Sequence, residues 1–337
     1  MTAIDAEMLH RDAIIIDATC PLARHHDKVD WWRRGGATAI LPTVTGRIGD
    51  ASSGFGEIGG WHRYARERDD ALIVRHAADI EQAKREDKLG LVLHCQGTAL
   101  FEDRLDLVDA YAEAGLRVVQ LCYNVANSFG DGASVDDDGG LKPLGRELVG
   151  RLNALRLVVD CAHTGERTSL HAVEASAAPV IISHANARGL HDNRRNVSDD
   201  LIRAVAASRG VIGTVGYPAF LTQGEQPTLD RFIDDIAYKA DLVGIEHTGL
   251  GIDYYEGQHP VAELEDAKTR YAERLAEGTW DARDYPPPPY IYPEGIETPE
   301  TLPVLTHRLV ARGFAEDDIQ KVLGLNWLRV FGEVWGG

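Results

Sequence analysis

Residues 157–183, LVVDCAHTGERTSLHAVEASAAPVIIS, decide the fold. Leu157–Asp160 is a short apolar run rich in β-branched residues, Ser169–Ser176 has helical character, and Val180–Ser183 is a second buried run. Two short buried strands joined by a helix describe a parallel pair with a crossover connection.

Working outward, the same alternation recurs along the chain. Strand-like runs occur at Ile14–Asp17, Ala37–Val44, Gly90–Leu93, Arg117–Leu121, Leu157–Asp160, Val180–Ser183, Val211–Val215 and Gly249–Ile252. Helix-like stretches lie between them, at Leu105–Ala114, Leu144–Asn153, Ser169–Ser176, Asp199–Ser208 and Leu229–Leu242, with Ser198 a good N-cap. Eight such units favour a closed barrel over an open doubly wound sheet, and no GxGxxG follows the first strand. The chain has 337 residues, enough for a (β/α)8 barrel of about 250 residues plus insertions. The expectation is an α/β TIM barrel as a single domain over residues 1–337, with a proline-rich insertion near 281–299. Its YPPPPYIYPE (285–294) excludes helix and interior strand and reads as an extended surface loop overhanging the barrel mouth. In IIIDATCPLA (14–23) the strand ends at Asp17, and Ala18-Thr19-Cys20-Pro21 breaks it into a loop. SVDDDGG (134–140) reads as a solvated turn.

The formal charge of −18 argues against nucleic acid and anionic membrane as partners. No apolar run approaches the roughly 18 residues of a membrane span, and the first residues lack the basic and apolar regions of a signal peptide. A cytoplasmic location is expected. The cysteines at 20, 95, 122 and 161 have no CxxC spacing and read as reduced thiols.

In a barrel of this kind chemistry sits at the C-terminal ends of the strands. There the sequence places His94, Cys95 and Gln96, then Cys122, Tyr123 and Asn124, then His163 in DCAHTG, His184 in ISHAN and Asp253 in GIDYYEG. Each alone has a plainer explanation, as a hydrogen-bonded loop residue or a helix cap. Together, two histidines from neighbouring strands and an aspartate across the opening suit a first-row metal. Asp253 would then bind the metal or take a proton from a metal-bound water. His94, His191 and His247 read as structural or surface histidines. Arg194 and Arg195, in the loop after His184, read as an anion clamp for a substrate carboxylate.

At these residues the chain resembles the renal or membrane dipeptidase family of amidohydrolase-like barrels. The resemblance runs through GGATAILPTV, LVDAYAEAGLRVVQLCYN, GLKPLGRELVGRLNALRLVVDCAHTGERT, APVIISHANARGLHDNRRNVSDDLI, VGIEHTGLGIDYYEG and VLGLNWLRVFGEVW. It implies a barrel of the metallo-dependent hydrolase type and a two-metal dipeptidase, usually with zinc. His163 and His184 look like the histidines of the second metal, Arg195 like the arginine that grips the substrate carboxylate, and Asp253 like the acid that handles the proton of the attacking water. The family's first-metal His-x-Asp falls on Thr19 and Pro21, its bridging glutamate on Cys95, and its substrate-contacting histidine on Tyr123.

The expectation is therefore a reduced site with one divalent ion, zinc, held by His163, His184 and Cys95, an inert buried thiol being the other reading of Cys95. Asp253 and Tyr123 are the expected catalytic groups, and Arg195, Tyr123 and Asn124 the expected substrate contacts. The implied activity is hydrolysis of an amide bond in a dipeptide or N-acyl amino acid with a free carboxylate, with a homodimer as the implied assembly. A lyase-like enzyme on an amino-acid-derived substrate and an inactive binding protein are the alternatives.

Overall fold

The computed structural model describes residues 4–44 and 48–336. The first three residues, where the reading of the chain's start begins, lie outside that part. Among the described residues ten strands form one sheet: β1 (Ile16–Cys20), β2 (Ala39–Val44), β3 (Ala71–Ile73), β4 (Leu89–Leu91), β5 (Leu93–Gln96), β6 (Leu116–Gln120), β7 (Val158–Asp160), β8 (Val180–Ile181), β9 (Ile212–Thr214) and β10 (Thr248–Leu250). The paired order is β8-β7-β6-β5-β2-β1-β10-β9, every pair parallel. A bridge from Ile182 to Ile212 joins its two ends. The result is a nearly closed eight-position parallel barrel, with helices between successive strands as the alternation in sequence implied.

Three expectations change in detail. β1 runs on to Cys20, so Ala18 and Thr19 belong to the strand, and the register with β2 shifts between Asp17 and Cys20. The third run divides at Val92 into β4 and β5. β3, which pairs only with β4 beside the barrel path, escaped notice because ALI is too short to show a period.

Side-chain alternation sorts the strands into an inner and an outer face. Ile16, Ala39, Leu41, Val92, Val118, Val158, Ile181 and Val211 share one apolar cluster with Trp327, Val330, Phe331 and Trp335 of the C-terminal helix Asn326–Trp335. That helix contacts both β7 and β10, and Trp327 Nε1 donates to Leu250 O at 3.0 Å. Burying a side chain such as Phe331, fully inaccessible here, stabilises the fold by roughly 1.5–3 kcal/mol. Two residues further along the middle strands of the path the inner face turns polar. His94 follows Val92, Gln120 follows Val118, Asp160 follows Val158 and Ser183 follows Ile181, all four buried. Apolar residues fill one end of the barrel, and polar groups lead toward the other.

Helix starts follow local chemistry. Ser198 accepts from Leu201 N and Thr228 from Arg231 N, each satisfying an amide that helix geometry leaves open. In the 134–140 turn, Asp138 accepts from Thr168 N and Oγ1 in the first turn of the helix Glu166–Ala175, so this turn is a capping device as well as a solvated one. All four cysteines are free and buried.

Candidate active site at the barrel mouth

The polar inner layer is a hydrogen-bonded chain. Asp160 accepts from His94 Nε2 at 3.0 Å, Ser183 Oγ at 2.6 Å, Ser183 N and Ala162 N. Burial pushes this carboxyl up, but the His94 bond and charge, with help from His184 and Ser183, hold it below its usual range. Ser183 sits where the strands nearly touch: a Cβ on Gly213 would lie 2.0 Å from Ser183 O, and one on Gly251 1.9 Å from it. Glycine at both positions lets the backbone before His184 run between its neighbours.

From Ser183 the chain continues outward. His184 Nδ1 lies 2.8 Å from Ser183 Oγ and 3.0 Å from Thr19 Oγ1, and its Nε2 lies 2.8 Å from His163 Nε2. His163 Nδ1 lies 2.8 Å from Asn124 Oδ1. Asn124 Nδ2 donates to Thr279 O and Tyr285 Oη, which leaves Oδ1 as the acceptor facing His163. His163 Nδ1 therefore carries a proton, and in the neutral ring Nε2 accepts the proton on His184 Nε2. His184 Nδ1 is left as an acceptor, and because the Ser183 proton goes to Asp160, the hydroxyl that can donate to it is that of Thr19. Burial, followed by the charge of Arg195, holds His184 well below its ordinary value and hence neutral.

Asn124, His163 and Asp253 have φ of 61°, 57° and 62°. The left-handed region costs a non-glycine residue on the order of 1 kcal/mol, so three of the expected site residues hold strained backbone. His163, Tyr123, Asp253 and Gln96 line one cavity of about 290 Å³. Burial pushes the Asp253 carboxyl well above its ordinary value; the Arg195 charge opposes this and Asp17 adds to it. Tyr123 stacks on His163 with ring centroids 4.0 Å apart, and its Oη accepts from Trp280 Nε1 at 3.3 Å.

Cys95 does not join this group. It shares the outer core with Leu93, lies close enough to Tyr111 of the helix Leu105–Ala114 to add to the burial that raises that hydroxyl, and is itself pushed up by burial. His94 and Gln96 take the inner face instead, the reverse of the expected orientation, because Val92 fixes which residues of β5 point inward. His94 is thus a buried partner of Asp160 and not a surface residue. His191 and His247 bond the backbone carbonyls of Ala219 and Gly210 and are structural. Arg194 approaches Asp136 at 3.2 Å and Asp284 at 3.7 Å, while Arg195, 3% exposed, donates from Nε to Tyr285 Oη at 3.0 Å.

The proline-rich segment faces solvent with Pro286, Pro287 and Pro289 and the barrel mouth with its aromatic rings. Trp280, Tyr285, Tyr290 and Tyr292 are buried over the mouth. Trp280 stacks on Tyr285 with centroids 4.3 Å apart, and the Tyr292 hydroxyl donates to Asp253 O. Proline composition correctly excluded regular structure, but the tyrosines interleaved with it were the signal that the segment packs down, since exposed connectors rarely bury aromatic rings. Tyr285 and Trp280 are the site residues that sequence reasoning missed.

The expected metal centre can be tested against these donors. A catalytic zinc takes three protein ligands, with nitrogens at about 2.0–2.1 Å. Two histidine nitrogens meet here, bonded to each other. Thr19 serves His184, Pro21 offers no donor atom, Gln96 is a neutral amide, and Cys95 is on the outer face. Among the described residues no three His, Cys, Asp or Glu side chains converge as a metal-holding group. The donor set does not complete the expected centre.

Comparison with known proteins places this geometry. The chain is 31% identical over 264 residues to an uncharacterized dipeptidase of Schizosaccharomyces pombe, matching 77% of this chain and 56% of that protein. It is 28% identical over 269 residues to an uncharacterized protein from the pqqA 5' region of Klebsiella pneumoniae, matching 77% of this chain and 87% of that protein. It thus spans little more than half the length of the yeast relative. An amidohydrolase structure from Pseudomonas aeruginosa superposes with a TM-score of 0.89 at 31% identity, covering 99% of this chain and all of that one. The model of the membrane dipeptidase family, peptidase family M19, matches residues 56–285, and the chain belongs to that family.

Proposed function

We propose that the protein is a small-molecule hydrolase of the dipeptidase type, acting at the barrel mouth on the amide bond of a dipeptide or N-acyl amino acid. The observation that carries this reading is the placement of Asp253, Tyr123 and His163 on one cavity in a chain of this family. The family implies a metal cofactor. Because the donors of this chain do not complete a centre, the steps below are those of its own side chains.

Asp253, on the wall of the cavity with its carboxyl raised by burial, is the group that takes a proton from an attacking water and returns it to the leaving nitrogen. Tyr123, steadied by Trp280 and by stacking on His163, presents a phenol to the carbonyl oxygen as negative charge develops there. His163 and His184 hold their relative position through a network rooted in Asp160, so the wall against which the amide lies is preorganised. Arg195 and Asn124 provide the donors for the substrate carboxylate.

One observation favours a second reading, a non-hydrolytic reaction on an amino-acid-derived carboxylate. Without a third ligand the site has no built means of generating a metal-bound hydroxide, while a general acid is still in place. Assays of a dipeptide panel with L- and D-residues, N-acyl amino acids and amide-free carboxylates separate the two. Turnover of any amide that is lost in Asp253→Asn supports the hydrolase. Turnover confined to the amide-free set contradicts it.

A further inference from the structure

Arg195 is 3% exposed and forms no ion pair among the described residues. Asp253 and Asp284 act on it only at longer range; a buried guanidinium with no carboxylate in contact is costly, and the usual resolution is an anion. Its side-on edge offers Nε and Nη2 as parallel donors, the spacing that two carboxylate oxygens match. In this structure Nε meets Tyr285 Oη at 3.0 Å, whereas Nη2 is buried with no acceptor. Asn124 Nδ2 reaches the same Tyr285 oxygen at 3.0 Å. Two donors from different strand ends thus converge on one neutral oxygen, and half of the arginine edge is unused.

We infer that the Tyr285 hydroxyl is a stand-in for a ligand carboxylate: it occupies the anion seat of Arg195 and Asn124, and a carboxylate enters only by displacing it together with the proline-rich segment. Tyr285 is then the residue that sets which molecules the site admits. It lines the cavity of about 290 Å³, whereas Arg195 lines a second cavity of about 310 Å³, and His163 borders both. The phenol, lining the first cavity and bonded to the arginine of the second, stands with His163 between the ligand space and the guanidinium. A ligand too small or too weakly charged to displace it meets only the aromatic cavity; a carboxylate places an anion on both arms of the arginine edge, where the phenol places a neutral oxygen on one. The seat rests on the proposed function only for its carboxylate chemistry, and its test is independent of turnover.

The test is calorimetric titration with 3-phenylpropanoate, a carboxylate with no amide to cleave, on the wild type, Tyr285→Ala and Tyr285→Ala/Arg195→Leu. Tyr285→Ala is expected to bind about ten-fold tighter than wild type, because the competing acceptor is gone, and the added Arg195→Leu is expected to abolish the gain. Wild-type binding should change tryptophan fluorescence, and Trp280→Phe should lose that change, since Trp280 leaves its stack when Tyr285 moves. Equal affinity in wild type and Tyr285→Ala, or a gain that survives loss of Arg195, overturns the inference. Tyr285→Phe guards against misfolding of the alanine variant: it orphans both donors, so propionate at matched ionic strength should raise its melting temperature more than that of wild type, and equal shifts overturn the inference. Absence of amide turnover would count against the hydrolase and leave this result standing.

Discussion

The two sides of the barrel mouth are built differently. Along β6, β7 and β8 the strand ends carry Asn124, His163, Ser183 and His184, joined to one another and anchored through Asp160 to His94. Along β1, β2 and β5 they carry Thr19, Pro21, Thr43 and Gln96, all neutral, of which Thr19 alone is shown bonding into the other side's network. A connected set of buried polar groups is stable only when every member is satisfied, so removing one strands the next. Isolated neutral groups exchange at small cost. The side with a network therefore holds its groups in fixed relative positions, and the side without one contributes shape.

That contrast ranks the expected effects of mutation. Asp253→Asn, which keeps the volume and removes the proton transfer, should lower kcat on any cleaved amide by about 10²–10⁴-fold while leaving the melting temperature no lower. A smaller loss would move acid–base work to another group. Asp160→Ala should destabilise the fold by about 3–5 kcal/mol in urea denaturation, because it leaves His94 and Ser183 without their buried acceptor. An effect below about 1 kcal/mol would mean the network is not under tension.

On the neutral side the effects are smaller, with one acid as exception. Burial raises Asp17 from 3.8 to about 6, against bonds from Trp32 and Ile252. A group raised in the folded state stabilises fully below its unfolded value and loses that contribution as pH rises through the folded value. Between pH 3.8 and about 6 this amounts to about 3 kcal/mol, and Asp17→Asn should flatten stability across that window in urea melts at successive pH values. Thr19→Val removes one bond to His184 and should cost about 1 kcal/mol. Cys95→Ala should leave activity unchanged with a stability loss of about 1 kcal/mol; loss of activity there would return the thiol to the site.

Much of this was legible in the chain. The eight runs that form the barrel positions stand out because buried parallel strands are uniformly apolar, and His163, His184 and Asp253 stand out because they directly follow such runs. Uniform apolarity also hides which residues point inward, so nothing in LVLHCQG told Cys95 from Gln96 until Val92 was seen in the inner cluster. The role of Asp160 was invisible for the same reason: its partners lie 23 and 66 residues away in sequence. Tyr285 required knowing that a segment unable to form helix or sheet could still pack as a cover.

The most direct test of this account is elemental mass spectrometry of protein purified without chelators or a histidine tag, on wild type and His163→Ala. Two imidazole nitrogens without a third ligand predict metal well below one equivalent per chain, equal in both proteins and unrelated to activity. One equivalent in wild type that disappears in His163→Ala would contradict it, and would mean that the two histidines open on binding to complete a centre with a ligand not arranged for it here.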